Sequence, residues 1–127
     1  MARILIIDDD EAMRYLLRQI LTSAGYDVCE AADGAAGARL FRQERPELVI
    51  TDIFMPEQDG IETILALKRE FPTVKIIAIS GGGQNGDLNY LAMTRTLGAD
   101  RVLRKPFTHQ ELLTIVQELS EKSEISN

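Results

Sequence analysis

One cysteine, no tryptophan and few aromatic rings narrow the chemistry open to this chain before any motif is sought. Cys29 has no partner for an internal disulfide, which points to a reducing compartment, the cytoplasm by default. Aromatic residues make up 6% of the chain, too few to stack well against a flavin ring. No apolar run approaches the ~20 residues that a membrane span requires. Met1-Ala2-Arg3 leads straight into a strand-like run, without the basic, apolar and cleavable regions of a signal peptide. Lys and Arg number 14 against 20 Asp and Glu, a net charge of -6. That balance argues against direct nucleic-acid binding, which needs clustered cations to neutralise phosphates. Neither a membrane nor a nucleic acid is therefore expected as a partner.

What the chain does have is an even alternation of apolar runs and helical periods over 127 residues, the size of one domain. Residues 3–7 read as a strand. Met13, Leu16, Leu17, Ile20, Leu21 and Ala24 follow at helical spacing, with Gly25 as a stop. Strands are predicted over 26–31, 47–51, 74–79 and about 101–104, and an alanine-rich helix opens at Asp33-Gly34. A further helix, marked by Ile61, Ile64, Leu65 and Lys68, ends before Phe71-Pro72, because proline disfavours helix in the residue before it. A glycine-rich loop, Gly81 to Gly86, leads into a helix that stops near Gly98. The last helix carries Leu112, Ile115, Val116 and Leu119, and Thr108 and Glu111 have the spacing of a capping box. Five such βα units imply a parallel sheet covered on both faces. The domain is expected over 1–122, with a polar, frayed tail beyond it over 123–127, the polar run itself beginning at Ser120.

Polar residues stand where the apolar strands end. Ile4-Leu5-Ile6-Ile7 runs into Asp8-Asp9-Asp10, Leu48-Val49-Ile50-Thr51 into Asp52, Ile76-Ile77-Ala78-Ile79 into Ser80-Gly81, and Val102-Leu103 leads to Lys105-Pro106. In open parallel sheets ligands bind at the carboxyl ends of the strands. Asp10 reads as a helix cap. Asp8, Asp9 and Asp52 would repel one another unless a cation intervenes, and hard carboxylate oxygens suit Mg2+, with Mn2+ as a substitute. The Ser80 hydroxyl, the Gly81 amide and the Lys105 ammonium are the donors that a phosphoryl group needs. Asp52, between the acidic side and the lysine side, is the natural acceptor. His109 and Cys29 read as ordinary surface and ordinary packing, respectively.

Taken in order, Ile6-Ile7-Asp8-Asp9-Asp10, Asp52-Ile53-Phe54-Met55-Pro56 with Asp59-Gly60, Ser80-Gly81 and Lys105-Pro106-Phe107 resemble the receiver domain of two-component response regulators, over residues 3 to about 120. The resemblance implies a flavodoxin-like three-layer αβα sandwich with five parallel strands in the order 2-1-3-4-5. It implies phosphorylation of Asp52 by the phosphohistidine of a sensor histidine kinase or histidine phosphotransfer protein. Asp9, Asp52 and the Phe54 carbonyl would ligate Mg2+ directly, and Asp8 largely through water. Ser80, the Gly81 amide and Lys105 would hold the phosphoryl oxygens, and Lys105–Pro106 would be cis. Phosphotransfer partners of the family dock on the first helix, where Arg14, Tyr15 and Arg18 read as an exposed face. The chain departs from the family at Val102, where receivers usually carry Tyr or Phe, and in a longer Gly81–Gly86 loop. With no output segment after the last helix, the expectation is a stand-alone, non-enzymatic regulator that acts on an unidentified protein.

The main rival is a Mg2+-dependent phosphohydrolase resembling the haloacid dehalogenase group, with Asp8 as nucleophile and Asp10 as general acid. Glu11-Ala12 departs from that pattern, no cap domain is visible, and Asp52 has no role in it. A flavin-binding module at the same sheet edge is the other rival.

Overall fold

Central strands that are apolar on both faces need cover on both sides. The computed structural model describes residues 2–53, 60–80 and 98–125. In chain order these form β1 (Arg3–Ile7), α1 (Glu11–Ser23), β2 (Asp27–Ala31), α2 (Gly34–Glu44), β3 (Leu48–Asp52), α3 (Gly60–Glu70), β4 (Lys75–Ser80), β5 (Arg101–Arg104) and α4 (His109–Ile125). The five strands pair in parallel in the order β2-β1-β3-β4-β5. This is the flavodoxin-like order expected above. The loop at Gly81–Gly86 and the helix expected after it lie outside the described residues.

Alternation along each strand divides the core in two. Ile4, Ile6, Ile50, Ile77 and Ile79 face Leu17, Ile20 and Leu21 of α1 and Leu112, Val116 and Leu119 of α4. Leu5, Ile7, Val49, Ile76 and Ala78 face the other way, onto Phe41 of α2 and Ile64 and Leu67 of α3. Burying each Leu or Ile side chain contributes roughly 1.5–3 kcal/mol, so β1, β3 and β4 form a rigid base for whatever projects from their ends.

β3 and β4 run one residue past the apolar pattern, to Asp52 and Ser80. The reason is the ladder: Asp52 pairs with Ile79 and Ser80 with Arg104, while Ile53 N donates to Ile79 O at 2.9 Å and Lys105 N to Ser80 O at 2.8 Å. At the other end of the chain, α4 continues to Ile125, beyond position 122 and through residues read as a frayed tail. Ser120 to Ile125 contains neither Gly nor Pro to stop it.

The caps follow the sequence. Thr108 and Glu111 bond reciprocally, Glu111 N to Thr108 Oγ1 at 3.0 Å and Thr108 N to Glu111 Oε1 at 2.8 Å. Asp10 caps α1, its Oδ1 accepting from Ala12 N at 3.0 Å and Met13 N at 3.4 Å. Asp10→Ala should lower stability by about 1 kcal/mol in urea denaturation, since two helix-terminal amides lose their acceptor.

Of the three α1 residues read as exposed, Tyr15 is so, at 64%. Arg14 and Arg18 instead turn onto Glu30 of β2, with Arg14 Nε 3.2 Å from Glu30 Oε1 and Arg18 Nε bonded to Glu30 Oε2. A carboxylate half-buried beneath a helix needs compensating charge, and only these arginines of α1 reach it among the described residues.

Candidate functional site

The carboxyl ends of four strands, β1, β3, β4 and β5, meet at one site. β1 and β3 are neighbours, with Ile7 opposite Thr51, so the next residues, Asp8 and Asp52, stand side by side. One carboxylate oxygen each from Asp8, Asp9 and Asp52 lies within 4.8 Å of the others. Asp8 and Asp52 are buried and Asp9 is exposed, which gives the cluster a closed floor and an open side. On the far side of Asp52, the β4–β5 pairing brings Ser80 level with Arg104 and so beside Lys105. Lys105 Nζ lies 3.7 Å from Asp52 Oδ2. Asp52 thus stands between two carboxylates and an ammonium, as the strand ends suggested. The Lys105–Pro106 peptide is cis. Phe54 and Gly81 lie outside the described residues.

Asp8 is held at several atoms. Its amide donates to Ala31 O at 3.1 Å, and its Oδ1 accepts from Asp10 N at 2.9 Å. Its Oδ2 is buried with no hydrogen-bond partner among the described residues. Burial raises the Asp8 pKa from 3.8 to about 6, the Asp10 amide opposes the rise, and the charges of Asp52 and Asp9 add to it against that of Lys105. An unpartnered buried oxygen within an all-oxygen donor set is what a hard divalent cation such as Mg2+ would satisfy.

The raised pKa has a sign that can be measured. Without metal, the folded protein keeps a proton on Asp8 at pH values where the unfolded chain has lost it. Stability from this group is full below pH 3.8 and is lost as pH rises through about 6. Urea midpoints in EDTA should therefore fall for wild type relative to Asp8→Asn between about pH 4 and about pH 6, and parallel profiles would refute the shift. Saturating Mg2+ should reverse the trend, because it favours the carboxylate.

The two residues read from the sequence as ordinary surface and ordinary packing stay outside the cluster. His109 is exposed at the start of α4. Cys29 packs against the α2–α3 side of the core, its Sγ 3.8 Å from Ile4 O, and burial pushes its thiol pKa up, away from the reactive thiolate. Arg14, expected only as part of an exposed face, instead reaches the cluster: its Nη1 donates to Asp8 O at 2.7 Å. Its spacing of four from Asp10 on a capped helix was the available clue.

The sequence matches the response regulator receiver domain over residues 4–117. The chain belongs to this family. Among similar receivers is the chemotaxis protein CheY of Thermotoga maritima, 34% identical over 119 residues, covering 93% of this chain and 97% of that one. The alkaline phosphatase synthesis transcriptional regulatory protein PhoP of Bacillus subtilis is 32% identical over 98% of this chain but only 50% of its own length. The chain spans about half the length of the curated relatives it matches first. A solved response regulator receiver domain protein from Clostridium thermocellum superposes with a TM-score of 0.91 at 28% identity, covering all of both chains. A CheY-like receiver domain protein from Methanospirillum hungatei gives 0.85 at 30% identity, covering 98% of each. Among the described residues of this receiver, no helix is long and apolar enough to cross a membrane.

Proposed function

We propose that Asp52 accepts a phosphoryl group from the phosphohistidine of a sensor histidine kinase or a histidine phosphotransfer protein. The observation that carries this reading is the position of Asp52, 3.7 Å from the Lys105 ammonium on one side and within 4.8 Å of Asp8 and Asp9 on the other. An Asp52 carboxylate oxygen attacks phosphorus as the bond to the histidine nitrogen breaks. Lys105 and the Ser80 hydroxyl, with the Gly81 amide, bind the phosphoryl oxygens as charge builds on them. Asp8, Asp9, Asp52 and the Phe54 carbonyl would hold Mg2+. When bound, that ion screens the incoming phosphoryl group from the carboxylates.

The chemistry is directed at the protein's own side chain and turns over no external substrate. We place it in the cytoplasm, with the signal leaving by contact with a further protein or by onward transfer. The net charge of -6 argues against direct nucleic-acid contact. Tyr15 at 64% exposure and Leu16 at 40% offer a docking face on α1 for the phosphohistidine partner. An open groove beside that face is lined by Met13, Leu16, Phe107 and Ile115.

The rival hydrolase reading needs Asp10 as a free general acid, yet its carboxylate is occupied in capping α1. Locating the modified residue separates the two. After reaction with a small phosphodonor, borohydride reduction and peptide mapping should find the label at position 52. A label at position 8 would replace this reading with the hydrolase one.

A further inference from the structure

The Arg14 guanidinium spans two acceptors in different parts of the fold. Its Nε faces Glu30 Oε1 of β2 at 3.2 Å, and its Nη1 donates to the Asp8 carbonyl at 2.7 Å. The Arg14 amide donates to Asp10 O at 3.0 Å, so the residue is anchored in the first turn of α1. One planar cation thereby links α1, β2 and the turn that carries the acidic cluster. Asp9 is exposed, and among the described residues no side chain holds its carboxylate. Its direction is set by the backbone from which it hangs.

We propose that Arg14 is a positioning residue for the cation site: by holding the Asp8 carbonyl it fixes the Asp8–Asp9 peptide and keeps the Asp9 carboxylate beside Asp8 and Asp52. A peptide unit is planar, so a carbonyl held on one side fixes the direction in which the chain enters the Asp9 Cα. Without that hold, repulsion among three carboxylates favours turning Asp9 outward, toward water. The cost would be felt when Mg2+ binds, because the ligand would have to be brought back. Glu30 offsets the charge of Arg14, so the influence runs through the hydrogen bond to the backbone. Arg18 provides an internal control. It shares Glu30, but its Nη2 lies 3.5 Å from Val28 O and makes no bond to Asp8.

This inference rests on the Mg2+ site proposed above, and the experiment separates the two. Mg2+ alone is titrated into wild type, Arg14→Met and Arg18→Met, with binding followed by backbone amide shifts. Arg14→Met should bind about tenfold more weakly, the lower end of what loss of a ligand-orienting partner costs, and Arg18→Met should match wild type. In the metal-free proteins the Asp9 amide resonance should move in Arg14→Met and stay in place in Arg18→Met. If Arg14→Met fails to fold, Arg14→Lys replaces it, compared with Arg18→Lys, since lysine keeps the charge but loses the fork that reaches both acceptors. Unchanged affinity in the Arg14 variant overturns the proposal, and so does an equal loss in the Arg18 variant, which would mark a general effect of the Glu30 pair. If wild type binds no Mg2+, the cation site itself fails, and this inference with it.

Discussion

Asp52→Asn should take phosphoryl labelling below detection, whether the donor is a kinase or a small phosphodonor, while leaving the fold intact. The substitution keeps the shape of the side chain and removes the anionic oxygen that attacks phosphorus. Neither neighbouring carboxylate is well placed to take over. Lys105, which would draw the phosphoryl oxygens inward, pairs with Asp52. Asp8 is buried with a pKa raised to about 6, so at acidic pH it carries a proton and is a poor nucleophile. Asp9 lies on the open side of the cluster. The measurement is incorporation of label at saturating phosphodonor, with circular dichroism to verify folding. Efficient labelling that moves to Asp8 in the variant would contradict the assignment and support the hydrolase chemistry.

Chelating divalent cations should have a comparably large effect on the same reaction and an opposite-signed one on stability when metal is restored. A phosphoryl dianion approaching three carboxylates within 4.8 Å of one another meets repulsion that only a cation between them relieves. Labelling in EDTA should therefore fall to background and recover with Mg2+ or Mn2+. The unphosphorylated protein should gain stability as well, because a ligand that binds only the native state adds about 2.7 kcal/mol at a hundredfold excess over its dissociation constant. Asp9→Ala, which removes the exposed carboxylate and leaves the buried pair, should abolish most of that gain. Thermal melts of both proteins with and without Mg2+ provide the test. A melting temperature indifferent to Mg2+ in wild type would count against the metal site.

The elements of this receiver could be read from local pattern because local physics specifies them. Ile4 to Ile7 and Ile76 to Ile79 are apolar at every position, as strands buried on both faces must be, and both are so buried. Asp10, Asp33 and the Thr108–Glu111 pair announce helix starts through hydrogen bonds that span only a few residues. The identities of Asp8, Asp9, Asp52, Ser80 and Lys105 as strand-end groups followed from the same pattern. What local pattern could not supply is who stands beside whom. Nothing within β1 or β3 says that they are neighbours. That adjacency came from resemblance, and the sheet pairing establishes it.

The differences between the sequence reading and the structure have the same origin. Arg14 and Arg18 recur at the spacing of a solvated helix face, and only the pairing of β1 with β2 brings Glu30 beneath them. Asp8 and Asp9 are chemically identical neighbours, yet one is buried and the other exposed, because Asp8 is still tied to the sheet through its amide's bond to Ala31 O while Asp9 stands one residue further out, in the turn before α1. Sequence alone thus determined which segments are strands and helices and which chemical groups stand at their ends, since hydrophobic period and capping act over short stretches of chain. Tertiary structure alone decided how close those groups come, how far burial raises the pKa of Asp8 and which arginine reaches the acidic turn, because distance and desolvation depend on residues far apart in the chain.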